Sequence, residues 1–492
     1  MRIFSKYVYP LLLLTLPVGL WAQQISAEQI FEVQGYSIFD PQFLPKVLPG
    51  ASNRFAYLEY WAGGTAGRER TDFYLQSYGV RNYVEHWFKP VSDQPQGPPM
   101  KLLEVHHLEK GYFVLGEQGQ KKGGTKRTVA RFIPFDGADG KAKNIRLSPP
   151  ELESQRKFQN YFYTSPGKQC MLWLGTSGKR VFAGVWNTEG DSLWSGELSL
   201  PLHEEKYAIS EIQVDDSANV YFLMEYSKRN FTPKDTLTPP YLLKYLPKSK
   251  RFEQERLNLG GKYPLRAHMR LRTDGQLIWA AILADGTTNG ILNGTKLGKP
   301  RDARHWTHIG MRRYRKKDHF ELAVNYLGRI PDSWMKTYGE NGCNFSKTDL
   351  MIHENYATLL LEEQYKHKDK YYFYDIGCIT FHSQRGELLW EKVVRKRQRD
   401  KESPVFLSFV AGVARGKLRL VYLSERGARG KVLCTSLDLK TGARKDRVLA
   451  LNEGANYLFI PSRSGMVTNV DMVLVGMGHP ALNDYKLITV SF

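Results

Sequence analysis

Leu277-Ile278-Trp279-Ala280-Ala281-Ile282-Leu283 is an unbroken apolar run, too short to span a membrane as a helix and without the polar alternation of a half-buried strand. A strand that is apolar on both faces needs cover on both, as happens when sheets stack face to face. Thr358 to Leu361 repeats the pattern. The turn pair Asp274-Gly275 stands just before the first run. Outward from it, a polar or Gly-containing turn followed by an apolar, aromatic-rich strand recurs at Asn53-Arg54, Lys110-Gly111, Pro166-Gly167, Ser217-Ala218-Asn219, Glu354-Asn355, Arg415-Gly416 and Asn469. Most of these turns fall roughly 50 to 60 residues apart, the length of one four-stranded blade.

A second turn follows the first in several units. Phe135-Asp136 precedes Gly140, Trp186-Asn187 precedes Gly190, Phe381-His382 precedes Gly386, and Leu437-Asp438 precedes Gly442. A polar side chain that caps a turn, then a glycine free to take positive φ, is hairpin chemistry. Trp194 and Trp390 each stand four residues beyond their glycine, so the offsets repeat as well as the turns. Long amphipathic helical periods are nearly absent. The expected fold is therefore all-β: a β-propeller of seven or eight four-stranded blades, which also protects strand edges that a flat sheet of this length would expose. The last unit offers only three strands, and a strand near Gln34 to Ile38 is expected to complete it. The stretch 299–346 fits the repeat badly and reads as an insertion.

The N-terminus reads as a secretory signal. Arg2 and Lys6 precede an apolar run from Leu11 to Leu20, and Ala22 is a small residue at a plausible cleavage point. The expected organisation is a signal peptide over 1–22 and a propeller domain over 23–492, exported to the periplasm or cell exterior, with no transmembrane helix after cleavage. Four cysteines in 492 residues are too few for a disulfide-built scaffold. Cys170, Cys378 and Cys434 sit in strand-like runs and read as small buried hydrophobes, while Cys343 lies in a Gly/Asn-rich loop; one disulfide is compatible with an oxidising compartment. The formal charge of +20 attracts anionic surfaces, and export removes nucleic acid from the expected partners.

No phosphate-binding glycine loop, GxSxG elbow or HExxH helix is present, so no catalytic residue and no cofactor is assigned. Asp136-Gly137-Ala138-Asp139-Gly140 lacks the remaining ligands of a calcium loop and reads as a hairpin turn. His305 and His308 are two ligands where a metal centre needs at least three, and His106-His107 point to opposite faces of a strand; no metal site is expected. The candidate binding residues are basic: Arg312, Arg313, Arg315, Lys316 and Lys317 in one run, and Arg395, Lys396, Arg397 and Arg399 in another, the latter expected on a loop.

The region 349–492 resembles a family of exported bacterial β-propeller proteins. The resemblance rests on Ala357 to Tyr365, Gly386 to Lys392, the basic segment Arg395-Lys396-Arg397-Gln398, Leu418 to Tyr422, and Tyr485 to Thr489. It implies fold and export and supplies no activity. Where such members carry a glycine pair before the first strand, this chain has Glu354-Asn355, which implies a different turn. The expected function is that of an exported, non-catalytic binding or scaffold protein. Its expected partners are an anionic polysaccharide, an envelope surface or another envelope protein. The alternatives are a glycan-active hydrolase or lyase on the same fold and, from the β content and terminal Phe492, an outer-membrane barrel.

Overall fold

A computed structural model describes residues 25–32, 46–51, 53–63, 70–91, 100–119, 126–136, 143–153, 158–202, 207–226, 239–285, 306–315, 321–329, 345–367, 370–401, 404–424, 431–449, 457–478 and 484–492. The proposed signal segment, the strand expected at Gln34 to Ile38, and Cys343 lie outside these residues. Among the described residues, thirty-three strands form eight antiparallel sheets. Sheets 1 to 7 cover 46–90, 100–146, 159–198, 207–256, 262–329, 345–400 and 409–449, each a four-stranded meander in chain order. Sheet 8 covers 457–491 and takes one strand from the N-terminus. The fold is an all-β propeller of eight blades, and each sheet stops at an edge strand instead of closing into one barrel. No helix of the described residues is long and apolar enough to cross a membrane.

Each of the eight recurring turns leads into the second strand of its sheet, counting Asp471–Gly478 as second in sheet 8. In sheets 3, 4 and 5 the turn has one geometry. Lys168, Ala218 and Gly275 donate their N–H to the carbonyls of Ser165, Asp215 and Arg272 at 2.9 to 3.0 Å. All three take positive φ, at 60°, 64° and 77°. Glu354 holds a left-handed φ of 48° without a glycine, so the turn between the first two strands of sheet 6 keeps the repeat with a different residue.

Two compact units divide the chain: Met1–Pro90 with Gln398–Asp438 and Ala443–Phe492, and Val91–Arg397 with Leu439–Gly442. Within the second unit, the second strands show why their sequences do not alternate. Cys170, Leu172 and Leu174 of sheet 3 face Val220, Phe222 and Met224 of sheet 4. Met171 and Trp173, on the opposite face, meet Phe113 and Leu115 of sheet 2. Leu277, Trp279, Ala281 and Leu283 join Tyr221 and Leu223 of sheet 4, while Ile278, Ala280 and Ile282 join Ala357, Leu359 and Leu361 of sheet 6. The first unit repeats the device: Met472 and Leu474 lie against Val421 and Leu423 of sheet 7, and Val473 and Val475 against Phe55 and Tyr57 of sheet 1.

Two sequence expectations are corrected. The strand completing the last sheet is Ile25–Glu32, paired antiparallel with Asp484–Ser491. The insertion assigned to 299–346 contains regular elements instead: Trp306–Arg315 and Glu321–Arg329 are the third and fourth strands of sheet 5, and Phe345–His353 opens sheet 6. The repeat is hard to read there because Arg312, Arg313 and Arg315 break the apolar run of the third strand. Cys170, Cys378 and Cys434 are buried free thiols.

The second turn type forms as read at Gly190, Gly386 and Gly442, while Gly140 lies outside the described residues. Asn187 Oδ1 accepts the N–H groups of Glu189 (3.0 Å) and Asp191 (2.8 Å), and Gly190 has φ 78°. Trp390 Nε1 donates to the Leu439 carbonyl at 2.9 Å, which holds its ring over Gly442. Gly442 has φ 69°, and a Cβ there would stand 2.8 Å from the Trp390 ring. Gly442→Ala therefore combines backbone strain with a clash and should cost about 2 kcal/mol in urea denaturation. Gly196→Ala, with open space around the added carbon, should stay within about 0.5 kcal/mol of the parent.

Candidate functional site

The basic segment expected on a loop lies in a strand. Leu388–Asp400 is the fourth strand of sheet 6, and its side chains alternate strictly at the C-terminal end. Arg395, Arg397 and Arg399 are exposed, while Lys396, Gln398 and Asp400 are buried. The inward row is polar, so no apolar period announced the strand. Alternate residues on one face repeat at about 6.8 Å, so the three arginines form an evenly spaced cationic row. Arg397 and Arg399 have no ion pair or hydrogen bond among the described residues.

Lys396 does not belong to that surface. Its ammonium and the Glu362 carboxylate are both fully buried and stand 2.5 Å apart. Gln364 Nε2 donates to the other Glu362 oxygen (2.5 Å), and the Lys396 ammonium also donates to the Phe373 carbonyl (3.3 Å). Beside this pair the third strand bulges: Glu362 faces Ile376 and Glu363 faces Tyr374, leaving Asp375 as the extra residue. The Asp375 carboxylate accepts the Lys396 N–H (3.0 Å) and a guanidinium N–H of Arg395 (2.8 Å). The bulge thus anchors the first arginine of the row.

Arg312, Arg313 and Arg315 lie in Trp306–Arg315, the third strand of sheet 5. Lys316 and Lys317 lie outside the described residues, as does His305; His308 is in the same strand as the arginines. The structure therefore places the two basic runs in the third strand of one sheet and the fourth strand of the next, rather than in one loop cluster.

A second polar arrangement escaped the sequence reading. In the second unit the first strands of successive sheets stand side by side and carry a charged belt. Glu211 of sheet 4 accepts from His268 Nδ1 of sheet 5 at 2.7 Å and from Arg270 Nη1 at 3.3 Å. Arg270 Nη2 reaches on to Asp349 of sheet 6 at 2.9 Å. Tyr163 of sheet 3 borders the same carboxylate, and its phenol is pushed up to about 12, first by burial and then by the Glu211 charge. On sheet 2, Glu104 and His106 pair at 2.7 Å. Glu211 and Asp349 are thus both engaged by Arg270. The only sequence signal was charged residues two apart, at Glu104/His106 of sheet 2 and His268/Arg270 of sheet 5.

His106 and His107 do project to opposite faces. His107 stacks on Phe135 at 5.4 Å and sits near Tyr112, away from the Glu104–His106 pair. Burial, and then the Lys168 charge, lower its imidazole to about 4. Among the described residues no group of three or more His, Cys, Asp or Glu side chains gathers as metal ligands.

No family model matches the chain, and no curated protein matches it. Among solved structures, the chain is similar to the Dos1 propeller, with 8% identity over 90% of this chain and 91% of that one and a TM-score of 0.42. It is similar to the propeller domain of the trilobed protease from Pyrococcus furiosus, with 9% identity, 80% and 93% coverage and a TM-score of 0.36. A quinohemoprotein alcohol dehydrogenase, ADHIIG from Pseudomonas putida HK5, gives 10% identity, 94% and 76% coverage and a TM-score of 0.42. These scores are too low to carry weight, and the blade assignment rests on the sheet order of this chain.

Lys396→Met strands a buried carboxylate and should destabilise the protein by about 3 to 5 kcal/mol, whereas Lys396→Met with Glu362→Leu should recover most of that loss; chemical denaturation of both variants measures it. The His107 imidazole is neutral in the folded state down to about pH 4, while the unfolded chain takes up its proton near 6.5. Stability should accordingly fall as pH drops through that window, because the unfolded state binds more protons there. His107→Gln should remove that part of the slope in melting curves recorded from pH 7 to pH 4.

Proposed function

We propose that the chain is an exported, non-catalytic binding protein that holds an acidic polysaccharide. The observation carrying this reading is the exposed row Arg395, Arg397 and Arg399 on an edge strand. Its regular spacing suits a polymer with repeating negative charges, and guanidinium groups suit carboxylates and sulfates. The net charge of +20 favours the same class of partner, and the signal-like segment over 1–22 supports a place outside the cytoplasm. The engagement of Glu211 and Asp349 by Arg270 supports binding over hydrolysis, since a glycosidase needs two carboxylates directed at the scissile bond.

Binding of the full chain to polygalacturonate, followed by calorimetry at two salt concentrations, tests the reading. Affinity should weaken as salt rises, because exposed charges are screened. Arg397→Gln with Arg399→Gln should weaken it about tenfold, as expected for two exposed charge contacts of somewhat under 1 kcal/mol each. Salt-independent binding, or equal affinity in the double variant, would remove the arginine row from the explanation. Cleavage of the polymer that disappears in Glu211→Gln would establish the hydrolase or lyase instead.

A further inference from the structure

The first unit contains a buried cation that no carboxylate of the described residues neutralises. Arg419 lies in the second strand of sheet 7, Lys417–Leu423, and is only 8% exposed. Its Nη1 donates to Ser436 Oγ at 2.5 Å, and the Phe492 ring covers the guanidinium at 5.0 Å. Its Nε is buried and has no hydrogen-bond partner among the described residues. No carboxylate forms an ion pair with it among those residues. Lys396 makes the contrast, since its equally buried charge has Glu362.

The surroundings add positive charge. Arg419 pairs across the strands with Ser436, and Ser436 with Lys445, so the three share one face of the sheet. Arg447, two residues beyond Lys445, shares that face opposite Cys434. Burial holds the Arg419 guanidinium below its usual range, and of the charges that act on it Cys434 opposes this while Arg447 and Arg415 add to it. A buried arginine facing other arginines is costly when left alone, and the ring of Phe492 returns only part of that cost. A bound anion would supply the charge that is missing.

We propose that Arg419, Ser436 and Arg447 form a binding site for an oxyanion (a carboxylate, sulfate or phosphate group) on the face of sheet 7 that is covered by Phe492. The guanidinium and hydroxyl donate to the anion, and Arg447 balances its second charge. The site goes beyond the arginine row of sheet 6 and does not depend on it.

Thermal unfolding of the full chain tests this, with sodium glucuronate, sodium sulfate and sodium phosphate titrated against sodium chloride at matched ionic strength. One of the oxyanions should raise Tm saturably by several degrees at a hundred times its Kd, and the series tells which. Arg419→Met should abolish that increment while leaving the protein in chloride as stable as the parent or more so, since the unpaired charge is gone. Should Arg419→Met fail to fold, Arg447→Gln and Ser436→Ala serve, each expected to raise the half-saturating concentration at least fivefold. The proposal is overturned if no oxyanion shifts Tm beyond chloride, or if the increment survives unchanged in these variants.

Discussion

Everything in this architecture depends on the second strand of each blade being buried from both sides. Odd and even residues of one short strand enter two different clusters, as Trp279 and Ile278 do between sheets 4 and 6. Each large side chain so buried contributes roughly 1.5 to 3 kcal/mol. No blade can collect that contribution alone, because one of its faces always belongs to a neighbour. Stability is therefore a sum over adjacent pairs rather than a property of a single core. A substitution in a second strand weakens one seam and leaves the seam on the opposite face intact.

With hydrophobic burial concentrated in the second strands, the first and fourth strands are released for charge. The first strands of sheets 4, 5 and 6 use this freedom to link Glu211, His268, Arg270 and Asp349 across three blades. The fourth strand of sheet 6 uses it differently, with arginines outward and Lys396, Gln398 and Asp400 inward. Buried charge is handled in two opposite ways. Lys396 is matched inside its own sheet, whereas Arg419 is met, among the described residues, by a hydroxyl and an aromatic ring but no carboxylate.

Turns and double-faced strands made the fold legible. Asp274-Gly275 before Leu277 to Leu283 states both the hairpin and the stacking, and the same pair of signals recurs eight times. What stayed hidden lacked that grammar. In Trp306–Arg315 three arginines interrupt the apolar run, and Ile25–Glu32 pairs with residues 484–491, far away in the sequence, a relation no local pattern encodes. The basic segment at 395–399 was legible as charge but not as a strand, because its inward positions are lysine, glutamine and aspartate. The Glu211–Arg270–Asp349 belt joins residues from three sheets, and only the blade order brings them together.

The pairing of Ile25–Glu32 with Asp484–Ser491 sets an order of assembly. A polypeptide emerges from the ribosome beginning at its amino end. Ile25–Glu32 therefore emerges long before Asp484–Ser491, the strand it pairs with. During that interval Ile25–Glu32 presents unpaired backbone groups along its edge. In the finished fold, peeling away either of these two strands must break the final sheet.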